Sequence, residues 1–342
     1  MTSMYSQTSH LSNYINEHRL TVLLILFSIQ LISQPCRAEP FAYITNQGED
    51  SVYVIDLATH QVVEKIAVGK DPAGVAISFD ARRIFVTNPS GQSVSVIAAA
   101  SNQVIADITL DGAPLGITAN PVNEEIYVAD WDNARVFVIN GETFEVTGEL
   151  TTGKTPAGLD VSVNGERLFV ANRDDNSVSV IDLISGKTIS TVAVGKAPFG
   201  VTLSEDNRFA FTANVQSGDI SIIDTRVNTL IANVSVGEFP YAIAHDPASD
   251  NLFITNQQES TVSVVHLPTR KELTKIPVGD YPEGIALYAP QSRVYVANWF
   301  SNTVSIIDTV SLKEVETIEV GEGARAFGDF ILHRQAHHRH QP

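Results

Sequence analysis

The chain has 342 residues, 44% of them hydrophobic, a single cysteine and a formal net charge of −17. That acidity argues against binding nucleic acid or an anionic membrane, which takes clustered Lys and Arg. One cysteine rules out a disulfide framework and Cys-x-x-Cys chemistry, so stability must come from burial.

In chain order, the first 38 residues stand apart. Leu20 to Ser33 is an apolar run next to Arg19, and Cys36-Arg37-Ala38 offers a small residue for cleavage. The pattern predicts a secretory signal peptide over 1–38, removed after Ala38, and hence a periplasmic or secreted protein. Gln30 and Gln34-Pro35 interrupt the run, which is shorter than the roughly 20 residues of a membrane span. Ser33-Gln34-Pro35 before Cys36 is not a lipobox, so no membrane anchor is expected.

From residue 41 the chain repeats with a period of 42. Asn46, Asn88, Asp130, Asn172, Asn214, Asn256 and Asn298 share one register, and Pro72, Pro114, Pro156, Pro198, Pro240 and Pro282 share another, with Ala324 in the seventh place. The unit from Pro198 to Gly237 shows four short β-branched or aromatic runs, GVTLS, RFAFTAN, ISIID and LIANVSV, with turn residues between them. Four strands per unit, apolar on both faces, must be sandwiched between neighbours, and seven such units make an all-β, seven-bladed β-propeller over 39–332 with four-stranded antiparallel blades. The first unit lacks its opening strand and the last stops after one, at 324–332. The C-terminal strand is therefore expected to pair with the N-terminal blade and close the ring. The remaining tail, 333–342, carries His333, His337, His338 and His340 and reads as a disordered polar segment.

The tetrapeptides YITN, FVTN, YVAD, FVAN, FTAN, FITN and YVAN, each followed by a SVSVID-like strand and then VGxxPxG, resemble the YVTN family of β-propeller repeats. The resemblance spans 41–332. It implies an exported propeller, in company with periplasmic redox proteins, lactonases and cell-surface proteins.

In such a blade the Asn-headed turn and the VGxxPxG connection emerge at one end, the upper face. Their recurring residues read as structural: glycine for positive φ, proline to fix the inner strand, Asn or Asp to cap a turn. Asp56, Asp182, Asp224 and Asp308 close the third strand in the same spirit. His245, in AIAHDP, reads as a half-buried strand-end residue. Function is then sought where the repeat leaves the residue free. The candidate upper-face site is Trp131, Arg173, Phe199, Phe239, Tyr241, Tyr281, Glu283, Trp299 and Arg325, a shallow funnel suited to a planar or apolar ligand with some negative charge.

No haem-attachment, zincin, nucleophile-elbow or phosphate-loop motif is present, so no catalytic or metal residue is assigned. No cofactor is expected beyond a divalent cation on Asp71, Asp130, Asp280 or Glu283. The leading reading is a monomeric, non-catalytic scaffold for a small molecule, peptide or protein. The alternatives are a periplasmic enzyme or redox accessory protein (lactonase, lyase or quinone-linked dehydrogenase component) and a cell-surface structural protein.

Overall fold

The computed structural model describes residues 40–332, so the expected signal peptide and His-rich tail lie outside the described residues. Seven sheets follow one another in chain order, six built on four sequential antiparallel strands and the first on three N-terminal strands completed by the C-terminal Ile331–Leu332, and together they form the seven-bladed propeller. Blade five shows why. Its middle strands, Phe209–Asn214 and Asp219–Asp224, are buried nearly throughout, whereas the outer strand Thr229–Ser235 buries only Val234. A sheet with two apolar faces needs a partner on each side: Phe211 and Ile222 of blade five pack with Ile243, Leu252 and Val265 of blade six. Each such side chain contributes roughly 1.5–3 kcal/mol by burial, and the ring repeats that interface around the axis.

The repeated asparagine is an internal brace. Asn172 Nδ2 donates to Ser177 Oγ and Ser179 Oγ at 3.0 and 2.9 Å, and Asn256 and Asn298 make the same pair of bonds five and seven residues on. Blade three replaces Asn by Asp130 and answers it with Arg135, whose Nε donates to Asp130 Oδ2 at 2.8 Å. The third-strand aspartates cap their turns as expected; Asp308 Oδ1, for example, accepts from the Ser311 amide and hydroxyl.

Glycine supplies positive φ as expected at Gly218, in an Asn-headed turn, and at Gly323, but not in PxG. The glycine of PxG is needed for close approach: a Cβ on Gly116 would stand 2.0 Å from the Ala157 carbonyl oxygen, and one on Gly284 2.0 Å from that of Ala326. Positive φ falls instead on the residue before the proline: Asp71, Thr155, Ala197, Phe239 and Tyr281 all lie between 52° and 55°.

The ring closes through the C-terminal strand, with an irregularity. Ile331–Leu332 pairs antiparallel with Ala42 and Phe41, and Ala324 bridges Asn46. Between these points Ala326 and Gly328 take positive φ, and Phe327–Gly328 leaves the blade to run parallel to Gly74–Val75. This detour carries Phe327 to the axis.

Candidate functional site

Two registers meet around the axis at the upper face. The residues after the opening prolines supply Phe199, Tyr241, Glu283 and, in the seventh place, Arg325; the residues after the Asn position supply Trp131, Arg173 and Gln257. Inner strands that approach closely enough to require glycine bring these side chains into contact. Phe199 stacks on Tyr241 (centroids 4.0 Å apart, 27° between planes), Phe327 meets Phe199 edge-on at 5.7 Å, and Trp131 lies 6.0 Å from Phe199. Phe199, Tyr241 and Phe327 are buried, so the upper end of the axis is plugged where an open funnel was expected.

A polar circuit lies against the plug. Arg325 Nε donates to Glu283 Oε2 at 2.5 Å and its Nη2 donates to the Tyr241 hydroxyl at 2.8 Å, while Gln257 Nε2 donates to Glu283 Oε1 at 2.7 Å. Glu283 is 2% exposed, a burial that only the opposed guanidinium and the amide make tolerable. Burial, and then the Glu283 charge, push the Tyr241 hydroxyl far above its ordinary pKa, with Arg325 and Arg173 pulling the other way. Arg173 is the accessible cation: its guanidinium stands 5.8 Å from the Trp131 ring, one nitrogen donates to Asp174, and its side chain is 31% exposed. Lys154 and Lys196 are exposed on the neighbouring connections.

The structure thus joins six of the nine sequence-derived candidates, Trp131, Arg173, Phe199, Tyr241, Glu283 and Arg325, in one constellation. Tyr281 and Trp299 belong to a second group with Phe300, which stacks on Trp299 at 4.6 Å and lies 4.2 Å from Tyr281. Phe239 stands on the connection before Tyr281, 38% exposed. Sequence reasoning missed Phe327, because the detour that delivers it has no counterpart in the other units. Gln257 was visible in the right register but is unremarkable as a residue type.

Beneath the plug lies a cavity of about 240 Å³ lined by Thr118, Asp160, Thr202, His245, Asp329 and small or apolar neighbours. It shares Thr118, Asp160 and Asp329 with a lower vestibule of about 450 Å³ that Asp80 and Glu205 also line. Asp160 accepts from the Val161 and Leu203 amides, both at 2.8 Å; burial nevertheless lifts its pKa to about 7. His245 is half-buried, as expected, packs 5.6 Å from the Phe211 ring, and has neither ring nitrogen in a hydrogen bond. The carboxylates proposed for a divalent ion do not converge. Asp130 is engaged by Arg135 and Glu283 by Arg325, and among the described residues no group of three or more His, Cys, Asp or Glu could hold a metal ion.

Residues 122–333 match the family model described as the cytochrome D1 heme domain. No curated protein matches the chain. Among solved structures, a chain of Kuenenia stuttgartiensis hydrazine synthase superimposes with a TM-score of 0.71 at 22% identity, covering 78% of this chain and 92% of that one. A functionally unknown protein from Desulfotomaculum acetoxidans gives 0.72 at 18%, covering 84% and 99%. The dihydro-heme d1 dehydrogenase NirN, in complex with DHE, gives 0.64 at 13%, covering 85% and 76%. At these identities the likenesses speak for the fold.

The family match corrects the expectation of no cofactor, since the group that names the family is a heme. It also favours the redox accessory alternative over the non-catalytic scaffold. A resident heme makes three demands: space for the macrocycle, a ligand for iron and cations for its carboxylates. The inner cavity of about 240 Å³ alone falls below the roughly 300–1,000 Å³ of small-molecule pockets, and the vestibule of about 450 Å³ that adjoins it is lined by the carboxylates Asp80, Asp160, Glu205 and Asp329. His245 could serve iron only by turning, because its ring nitrogens are shielded from solvent. Neither cavity is lined by Arg or Lys, and both carry Asp160 and Asp329. An iron-ligated heme does not fit this channel; flat surface and accessible cations occur on the other side of the plug.

Proposed function

The chain belongs to the cytochrome D1 heme domain family, and on that premise we propose that it is an exported redox accessory propeller that holds a planar, carboxylate-bearing tetrapyrrole of heme type by its periphery on the upper face. The observation that carries this reading is the pairing of Trp131 with Arg173 above the Phe199–Tyr241 stack. The guanidinium lies over the indole, so the pair offers a flat ring something to stack against at its edge, and the Arg173 nitrogens not engaged by Asp174 take a carboxylate. Lys154 and Lys196 extend the same positive ground. The buried Arg325–Glu283–Tyr241 circuit holds the floor rigid, so little ordering is left to be done on binding. The apolar run Leu20 to Ser33 supports export to the periplasm or beyond, and the YVTN-like repeats accord with an exported propeller.

The reading is tested by titrating the protein with protoporphyrin IX and following both its absorbance band and quenching of Trp131 and Trp299. One macrocycle per chain is expected, with affinity falling at least tenfold in Arg173→Ala. A macrocycle that binds equally well to Arg173→Ala, or not at all, would refute it.

A further inference from the structure

The upper face carries a second feature, of which the tetrapyrrole reading uses only Lys154 and Lys196. Two residues before each opening proline, or before Ala324 in the seventh place, the connections carry Lys70, Gly112, Lys154, Lys196, Glu238, Asp280 and Glu322. Six of the seven are exposed, and all except Gly112 are charged. In ring order the signs do not alternate. Four consecutive connections carry only positive or neutral residues at this register, and the next three carry only carboxylates.

The exposed aromatic residues of this face lie on the acidic arc. Phe300 is 56% and Phe239 38% exposed, with Tyr281 and Trp299 half-buried beside them. Trp299 leans towards the third acidic connection, where a Cβ on Gly323 would stand 3.1 Å from its Nε1. Phe239 and Tyr281 sit at φ 55° and 54°, a conformation bulky side chains avoid and one that glycine adopts freely at the equivalent Gly323. Folding alone would favour a smaller residue at both places. Strained, exposed aromatics within a rim of exposed carboxylates have the composition of a protein-binding patch, with apolar anchors at the centre and like charges around them.

We propose that the acidic aromatic arc of Glu238, Phe239, Asp280, Tyr281, Trp299, Phe300 and Glu322 docks a basic partner protein whose Lys and Arg ring an apolar centre. Carboxylates on three neighbouring connections attract such a surface, whereas the rest of the face mixes Lys70, Lys154 and Lys196 with Asp111, Asp132, Asp174 and Asp175, so the strongest pull and the aromatic group coincide on one arc and fix its orientation. The aromatic group supplies the contact that outlasts screening by salt.

Cytochrome c, whose lysines surround an apolar edge, serves as the probe in isothermal titration against the full chain. We expect a 1:1 complex that weakens at least tenfold between 20 and 200 mM salt. Charge reversal of the arc (Glu238→Lys, Asp280→Lys, Glu322→Lys) abolishes it. Reversal of three exposed carboxylates at the opposite end (Glu142→Lys, Glu166→Lys, Glu205→Lys) leaves it within a factor of three. Phe300→Ser weakens it about tenfold without changing the salt dependence. Equal loss from both triple reversals would mean that only net charge acts, and the proposal falls. It falls equally if the probe does not bind, or if sedimentation shows the arc mediating self-association. Protoporphyrin binding by the arc variant reports separately on the tetrapyrrole site.

Discussion

At Asp130 the structural reading of the register holds, its carboxylate accepting from the Ala113 and Asp132 amides, and the divalent-ion reading does not. A carboxylate where six other units carry Asn invites a metal reading, yet the structure gives it to Arg135, which stands where five other blades have Ser or Thr and one has Asp. Burial works to raise the Asp130 pKa, and bonds from Arg135 and Asn133 overcome it, leaving the carboxyl below its usual range. Asp130→Asn should therefore cost about 1–3 kcal/mol, because it leaves Arg135 without its buried partner. Asp130→Asn combined with Arg135→Ser should be more stable than the single variant, since it removes the unpartnered guanidinium and supplies the first of the two brace bonds, Phe137 leaving the second unmade; denaturant midpoints of the three proteins measure this. Asp160 makes the complementary case. Its folded pKa of about 7 exceeds the unfolded value near 3.9, so the native state keeps a proton that the unfolded chain has released. Its influence is fully favourable only below the unfolded pKa, and stability is lost as pH rises from about 4 through 7, by roughly 2–4 kcal/mol. His245, whose pKa burial lowers, acts in the opposite sense: its neutral form is favoured and stability is lost as pH falls below about 6.5. The difference between wild type and Asp160→Asn therefore isolates the aspartate, and urea midpoints at pH 5 and 8 should move closer together in the variant.

Elements were legible where a period was present. Four strands, their faces and the axial order follow from the 42-residue spacing and from runs such as RFAFTAN, because a residue repeated seven times at one register must answer to the same neighbours seven times. The shift of register between the third and fourth strands, recurring at Val54/Ile55, Val180/Ile181 and Ile306/Ile307, was not legible, since a bulge that adds one residue to the outer strand leaves the apolar pattern of the third strand intact. The seventh inner strand departs furthest. The sequence ARAFGDFIL looks like one strand, yet only Ile331–Leu332 pairs in extended fashion with blade one, while Phe327 leaves to plug the axis. Closure still depends on it, through Tyr43 donating to the Phe330 carbonyl and Arg325 to that of Thr45. Truncation after Leu332 should leave the melting temperature unchanged, whereas truncation after Gly323 exposes an inner edge, removes Arg325 and Phe327, and should destabilise or aggregate the protein. Equal melting temperatures would show that the ring does not need this strand.

At the scale of the whole molecule, the two ends of the axis differ in kind. Below the plug lie carboxylates, a shielded imidazole and confined space; above it lie an indole, an accessible guanidinium and lysines. Among the described residues no helix is long and apolar enough to cross a membrane. The register rule located the upper-face residues, because side chains that escape the repeat's demands stand out against it. It could not show that Phe199 and Tyr241 form a floor, which depends on how tightly seven inner strands converge. The separation of histidine from cations leads to one discriminating expectation: a tetrapyrrole held by its periphery should not depend on iron. The direct measurement is the dissociation constant of protoporphyrin IX with and without iron, for wild type, Trp131→Ala and His245→Ala. An upper-face site predicts that both macrocycles bind wild type within a factor of about three, that His245→Ala changes neither, and that Trp131→Ala weakens both by about 2 kcal/mol. Binding confined to the iron form and lost in His245→Ala would place the ligand in the channel and contradict the upper-face site.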